Sequence, residues 1–248
     1  MRRMGLLVVA ALTVALGVAG CTSAAKRAEN ESEARSVAEQ GIAYAQRGEY
    51  DQALTKLKRA LWLDSTLTPA HAGIALVYSN TGKPDKAEKH YRKALSLSPA
   101  DPVLKNNFGV FMCGQGRVED GEQLLVEAAN DKRYPTPAAA WTNAGTCVKA
   151  KDLEKAEQYL RKALQIDPDN REALAQMALV SYSRKDYLRA RAFLQRYGVE
   201  EAPTAELLDI AVRSERELGD LDASRRYERL LKLKFPEFSE PVSSSQSQ

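Results

Sequence analysis

The sequence predicts an all-α fold: a tetratricopeptide repeat solenoid of about six helical hairpins in a right-handed superhelix. Three observations carry that prediction. Ala87–Pro99 (AEKHYRKALSLSP) returns as Ala156–Pro168 (AEQYLRKALQIDP) with seven of thirteen positions identical. The two copies start 69 residues apart, close to two periods of 34. A looser copy starts at Ala53 (ALTKLKRALWLDS), 34 residues before Ala87. A fixed period near 34 in a helical pattern is the mark of stacked hairpins, each burying its apolar face against its neighbours. The richness in Ala, Leu, Lys, Arg and Glu favours helix.

The chain opens on Arg2-Arg3, followed by the apolar run Leu6–Leu16, 11 residues long. A bilayer core needs about 20, so the run suits a secretory signal better than a membrane span. It ends in Val18-Ala19-Gly20-Cys21, which is similar to the bacterial lipobox, where small residues precede an obligatory Cys. That likeness implies cleavage after Gly20, lipidation of Cys21, and a mature chain carrying three acyl chains, an anchor stable on its own. The alternative is an ordinary signal or short anchor with an incidental Cys. Thr22 stands where an Asp would favour retention in the inner membrane, so the outer membrane is expected. Residues 22–33 are polar and read as a short tether.

The repeats follow in order. Repeat one (34–67) has Gly41 and Tyr44 in its first helix, Gly48 at the turn, and Ala53, Leu57 and Ala60 in its second. Repeat two (68–101) supplies Ile74, Ala75, Tyr78, Gly82, Ala87, Tyr91, Ala94 and Pro99, the fullest match to the repeat pattern. In repeat three (102–137), Gly121 stands where Ala is usual, at a cost of about 1 kcal/mol in a helix. Its end, KRYPTP, is irregular. Repeat four (138–170) has Trp141, Gly145, Ala156, Leu160, Ala163 and Pro168, with the interval from Gly145 to Ala156 one residue short, which predicts a tightened turn near Lys151-Asp152. Repeat five (171–204) has Ala178, Ala190 and Leu194 and breaks up over Gly198–Pro203. Repeat six (205–238) keeps Gly219 and a Phe235-Pro236 stop, has Ser224 in place of Ala, and reads as a charged cap. Residues 239–248 (SEPVSSSQSQ) read as a disordered tail.

Charge gives no argument for nucleic acid or an acidic substrate: the formal net charge is +3, and about +1 without Arg2 and Arg3. His71 falls at a core position and His90 on the outside of a second helix. Neither has a His or Cys partner at metal-ligand spacing. No nucleophile elbow, zinc-protease motif or phosphate loop occurs. The sequence therefore reads as a non-enzyme with no metal, cofactor or small-molecule substrate.

Cys113 and Cys147 both fall late in the first helix of adjacent repeats. First helices of neighbouring repeats pack side by side, which allows a structural disulfide in an oxidising compartment. Two buried free thiols are the alternative. The inner, concave face is expected to carry Ile42, Ala45, Leu76, Ser79, Asn80, Asn106, Val110, Thr142 and Thr146. This mixture of apolar, amide and hydroxyl groups suits an apolar partner segment held by a few hydrogen bonds. Only Arg35 and Lys149 offer basic charge there, too little for a two-carboxylate clamp on a peptide terminus.

VAGC at 18–21, GIAYAQRGEYDQAL at 41–54, NNFGVFMCGQGR at 106–117 and AAAWTNAGTCVKAKDLEKAEQYLRKAL at 138–164 together resemble the type IV pilus biogenesis lipoprotein family PilF/PilW. The resemblance covers nearly the whole chain. It implies a pilotin: an outer-membrane lipoprotein, repeats facing the periplasm, that binds secretin subunits and promotes their localisation and multimer assembly. Pilus biogenesis and twitching motility would then depend on it. The one-residue shortening in repeat four departs from the pattern. The repeats alone imply only an interaction scaffold, so a role in another envelope complex, β-barrel assembly or docking of cell-wall enzymes, is the alternative.

Overall fold

A computed structural model describes the backbone of residues 4–239 and the side chains of residues 25–238. The side chains of the lipobox residues and the tail beyond residue 239 lie outside it. Among the described residues twelve helices pair into six hairpins, followed by one short helix. The chain divides into two units, residues 1–104 and 105–248.

The first unit holds α1 (Met4–Gln46), α2 (Tyr50–Leu63), α3 (Thr68–Asn80) and α4 (Pro84–Leu97). The stretch read as a tether is helical wherever its side chains are described, and it runs into the first repeat without a break. Small residues let the paired helices approach. A Cβ on Gly41 would lie 2.7 Å from Leu57 Cγ, so the hairpin needs glycine there. Ala34, Ala38, Ala53, Leu57, Ala60, Ala70, Ile74 and Val77 form the core. Pro84 opens α4 at a position where its missing N–H is not needed.

One reading is corrected in this unit. His90 is not on the outside of its helix but half-buried, and its Nδ1 lies 3.1 Å from Nδ1 of His71.

In the second unit, which takes α5 (Pro102–Gly114) from Lys105 onward, α5 pairs with α6 (Val118–Asn130), and α7 (Pro137–Val148) with α8 (Leu153–Ile166). Then α9 (Arg171–Ser183) pairs with α10 (Tyr187–Tyr197), and α11 (Ala205–Glu217) with α12 (Leu221–Lys234). Phe235-Pro236 ends α12 as expected, with Phe235 as its C-cap, and a short helix α13 (Pro236–Ser239) follows at once. Asp152, Asn170, Asp186, Thr204 and Asp220 each cap a helix by accepting from a backbone N–H three residues on. The irregular KRYPTP segment turns Tyr134 into a core packed with Ala129, Ala140 and Trp141.

The turns inside the hairpins share one geometry. In five of them a residue of positive φ (Gly48, Gly82, Gly116, Lys185 or Gly219) lets the next N–H reach back five residues. Glu49 N donates to Tyr44 O at 3.0 Å, and Lys83 N to Tyr78 O at 2.9 Å. Repeat four is the exception. Asp152 N donates only four residues back, to Val148 O at 2.8 Å, and Lys151 N donates to the same oxygen at 2.9 Å. Dropping the left-handed residue is what removes one position from the interval between Gly145 and Ala156.

Ion pairs tie the second helices of the second unit together. Glu157, nearly buried, accepts from Arg161 at 2.7 Å, pairs with Arg184 at 3.3 Å and bonds Arg189. Burial pushes its carboxyl up, and the guanidinium hydrogen bonds more than offset this, so it sits below the usual carboxylate range. Among the described residues no helix is long and apolar enough to cross a membrane.

Candidate functional site

Tetratricopeptide hairpins leave one face of their first helices to solvent. In the second unit this face joins α5 to α7. Val110, Cys113 and Gly114 from α5 and Asn143, Thr146 and Cys147 from α7 line an open groove of about 280 Å³. None of the lining side chains is charged.

The two cysteines face each other across the floor of the groove, with their sulfurs 1.98 Å apart and their Cα atoms 5.4 Å apart. Gly121 of α6 lies behind it: a Cβ there would fall on Cys113 Sγ and come within 2.8 Å of Gly109 O. The glycine that looked like a weakness in the repeat is a packing requirement beside the sulfur.

The polar part of the groove is Asn143 with Thr146, and Asn143 is held in place by a row of amides behind it. Asn143 Nδ2 donates to Asn106 Oδ1 at 3.0 Å, and Asn106 Nδ2 donates to Asn107 Oδ1 at 3.2 Å. Val110, 45% exposed, supplies the apolar part. Thr146 is exposed, and its hydroxyl donates to Thr142 O at 3.0 Å, one turn back along its own helix. An apolar side chain resting on Val110, with a backbone amide reaching Asn143, suits this lining.

The residues expected on the inner face separate into two groups. Val110, Thr146 and Asn80 are exposed, and Ile42, Leu76 and Ser79 are half-buried. Ala45, Asn106 and Thr142 are buried at 4%, 8% and 2% exposure and are not available to a partner. Ala45 belongs to the first unit's core. Asn106 is covered although it holds Asn143 in place, and the Thr142 hydroxyl is taken by Ala138 O at 2.9 Å. Asn143 was missed by sequence reasoning. Its signal is helical spacing, since it stands four residues before Cys147 and so shares that face.

In the first unit, Ile42 lies with Arg35, Ala38 and Glu39 of α1 along a separate groove of about 500 Å³, closed on its other side by Leu67, Thr68 and Pro69. Of the two basic candidates, Lys149 donates to Gln176 at 2.8 Å. Arg35 borders the groove near Asp64, whose carboxyl is held low first by its hydrogen bond from the Thr66 hydroxyl. No group of three or more His, Cys, Asp or Glu able to hold a metal occurs among the described residues.

Models of the tetratricopeptide repeat match residues 68–101, 114–171 and 148–210, and a further TPR repeat model matches 41–82. The chain is 30% identical over 230 residues to the type IV pilus assembly protein PilF of Pseudomonas aeruginosa, covering 90% of this chain and 91% of that one. A solved structure of Pseudomonas aeruginosa PilF superposes with a TM-score of 0.77 at 28% identity, over 84% of this chain and 94% of that one. The crystal structure of PilW, a widely conserved type IV pilus biogenesis factor, superposes at 0.76 with 28% identity, over 82% and 94%. The Cut9 complex with Hcn1 gives 0.69 at 15% identity and shares the fold alone. A scaffold of stacked hairpins, an uncharged groove on their first helices and this full-length similarity have one common reading: the chain belongs to the PilF/PilW family of type IV pilus biogenesis tetratricopeptide proteins.

Proposed function

We propose that this protein is a lipid-anchored pilotin that delivers the type IV pilus secretin to the outer membrane. The similarity to PilF along nine-tenths of both chains carries this reading. Cys21 takes the acyl chains and fixes the repeats at the periplasmic face of the outer membrane. The groove of Val110, Asn143 and Thr146 takes an apolar, extended segment of a secretin subunit. The protein works by binding and not by catalysis. Holding several subunits at one surface raises their effective concentration, and so favours the multimer without any chemical step. In the oxidising periplasm the Cys113–Cys147 disulfide is closed and serves to keep α5 and α7 in register.

Secretin multimers in outer-membrane fractions test this across four strains: wild type, deletion, Cys21→Ser and Val110→Asp. Multimers are expected to vanish in the deletion, to be misplaced to the inner membrane in Cys21→Ser, and to fall in Val110→Asp with the protein still anchored. Unchanged multimers in all four would leave a scaffold of some other envelope complex. Two reactive thiols, counted after denaturing protein purified without reductant, would rule out the closed disulfide.

A further inference from the structure

The first unit carries a feature that the groove and the repeats do not use. Among its described residues only two large apolar side chains are exposed, Val103 at 44% and Trp62 at 73%. Trp62 sits in the last turn of α2, on the second helix of its hairpin and away from the inner face. Its ring lies under the Arg59 guanidinium, whose carbon is 4.5 Å from the ring centroid. Arg59 in turn pairs with Glu33 of α1 at 3.3 Å.

Helices α1 and α2 run antiparallel, with Gly41 against Leu57 and Glu33 against Arg59. The end of α2 therefore lies beside the beginning of the described part of α1. Lys26, Arg27, Asn30 and Glu31 of α1 share a shallow groove with Leu63, Asp64 and Thr66. Trp62 immediately precedes Leu63. Cys21 is five residues before Lys26, and five residues span at most about 18 Å even when fully extended. A lipid on Cys21 brings this end of the unit to the bilayer surface, whatever the conformation of the intervening chain.

We propose that Trp62 rests in the headgroup layer of the phospholipid leaflet that holds Cys21, with Arg59, Lys26 and Arg27 reaching the phosphates around it. This rests on the anchoring reading above. Indole is an interfacial group: its apolar body and single N–H suit a boundary with one dry and one wet side. Arg and Lys lay their stems along apolar surface and keep their charge in water. The pairing of Arg59 with Glu33 and Arg27 with Glu31 at 3.0 Å offsets much of the local charge. Ring insertion and not counter-charge is then the source of the contact, so salt leaves it intact. The result is a second point of attachment beside the lipid, which fixes how the first unit stands on the membrane.

The test uses the full-length chain purified from membranes and reconstituted in vesicles of phosphatidylethanolamine and phosphatidylglycerol. Trp141 is buried at 5% exposure, so aqueous quenching reports on Trp62, and Trp62→Phe gives the background. The expected result is a blue shift of the Trp62 emission, loss of its quenching by acrylamide, and new quenching by brominated phospholipids. All three should persist at about 1 M salt, where the screening length is about 3 Å. An anchored chain whose Trp62 stays open to acrylamide overturns the proposal. So does one protected from acrylamide but untouched by brominated lipid, which would assign Trp62 to a protein contact. Vesicle flotation separates the two readings. A chain that does not float carries no lipid and ends the anchoring reading. The same chain coupled through its Cys21 thiol to a maleimide phospholipid then tests Trp62 alone.

Discussion

The imidazoles of His71 and His90 meet head-on. Nδ1 lies 3.1 Å from Nδ1, and the 5.3 Å between ring centroids is nearly that gap plus two ring radii. His71 Nε2 lies 3.2 Å from Ser65 O, an atom that only accepts, so this nitrogen bears the proton. Neutral His71 then offers Nδ1 as acceptor, and His90 donates from its own Nδ1. Burial is the first cause that lowers both rings, and His90 is brought down to about 4. Lys58 and Lys89 face His90, Lys93 faces His71, and the Tyr78 ring packs on His90. All of these leave the neutral pair favoured.

The sign of the pH dependence follows. Unfolded histidines protonate near 6.5 and the folded pair only below that. The unfolded chain therefore binds more protons as pH falls from 6.5 towards 4, and stability declines over that window. The urea midpoint is expected to be lower at pH 5 than at pH 7. The double variant His71→Gln/His90→Gln should flatten this dependence. A wild-type midpoint that does not move between the two would refute the assignment.

Gly121→Ala is expected to destabilise although Ala is the better helix former. The propensity gain is about 1 kcal/mol. Forcing a methyl group onto Cys113 Sγ and Gly109 O costs about 1–3 kcal/mol, which more than offsets that gain over most of its range and leaves a net loss of up to about 2 kcal/mol. Gly114→Ala has nothing within 4 Å of its new Cβ and serves as the control. In a Cys113→Ser/Cys147→Ser background the Gly121→Ala penalty should shrink, as a double-mutant cycle in denaturant would read.

Arg191 donates from Nε and Nη2, one edge of its guanidinium, to the two carboxylate oxygens of Glu215, which is only 4% exposed. Arg191→Ala leaves that carboxylate buried and unpaired, so a loss of about 3 kcal/mol is expected. Arg213 makes a similar-looking pair with Asp209 at 3.0 Å, but its side chain is 57% exposed. Arg213→Ala should cost less than about 1 kcal/mol. Equal losses in calorimetry would show that burial does not govern these pairs.

Lys185 occupies the position that glycine holds in four other turns, at φ 61°. An L-residue held left-handed costs about 1–2 kcal/mol. Lys185→Gly should therefore stabilise by about 1 kcal/mol and raise the thermal midpoint by about 2–4 °C. A lower midpoint would mean that the lysine contributes something that its exposed position does not reveal.

The hairpins, their order and the shortened turn in repeat four were legible because period and small-residue spacing act locally. Cys113 and Cys147 were legible as neighbours because equal positions in adjacent repeats stack. The inner-face residues were only partly so. Repeat position says which helix a residue is on and roughly which way it points, but a few tens of degrees separate Thr146 in solvent from Thr142 under its neighbours. His71 and His90 were missed as a pair because their contact crosses a hairpin 19 residues apart, where no fixed spacing advertises it. Lys185 was missed because φ is not written in the residue name.

A closed bridge between Cys113 and Cys147 would also decide what a protease can achieve. The stretch between Cys113 and Cys147 contains α6 and the connection from Asn130 to Pro137, where Lys132 and Arg133 are exposed. A trypsin-like cut after either residue falls inside the covalent ring. With the bridge closed, such a nick leaves both halves joined and the groove between α5 and α7 still held together. With the bridge open, the same nick severs the molecule into two pieces that are free to drift apart. Oxidation would thus turn a lethal cleavage into a tolerable scar.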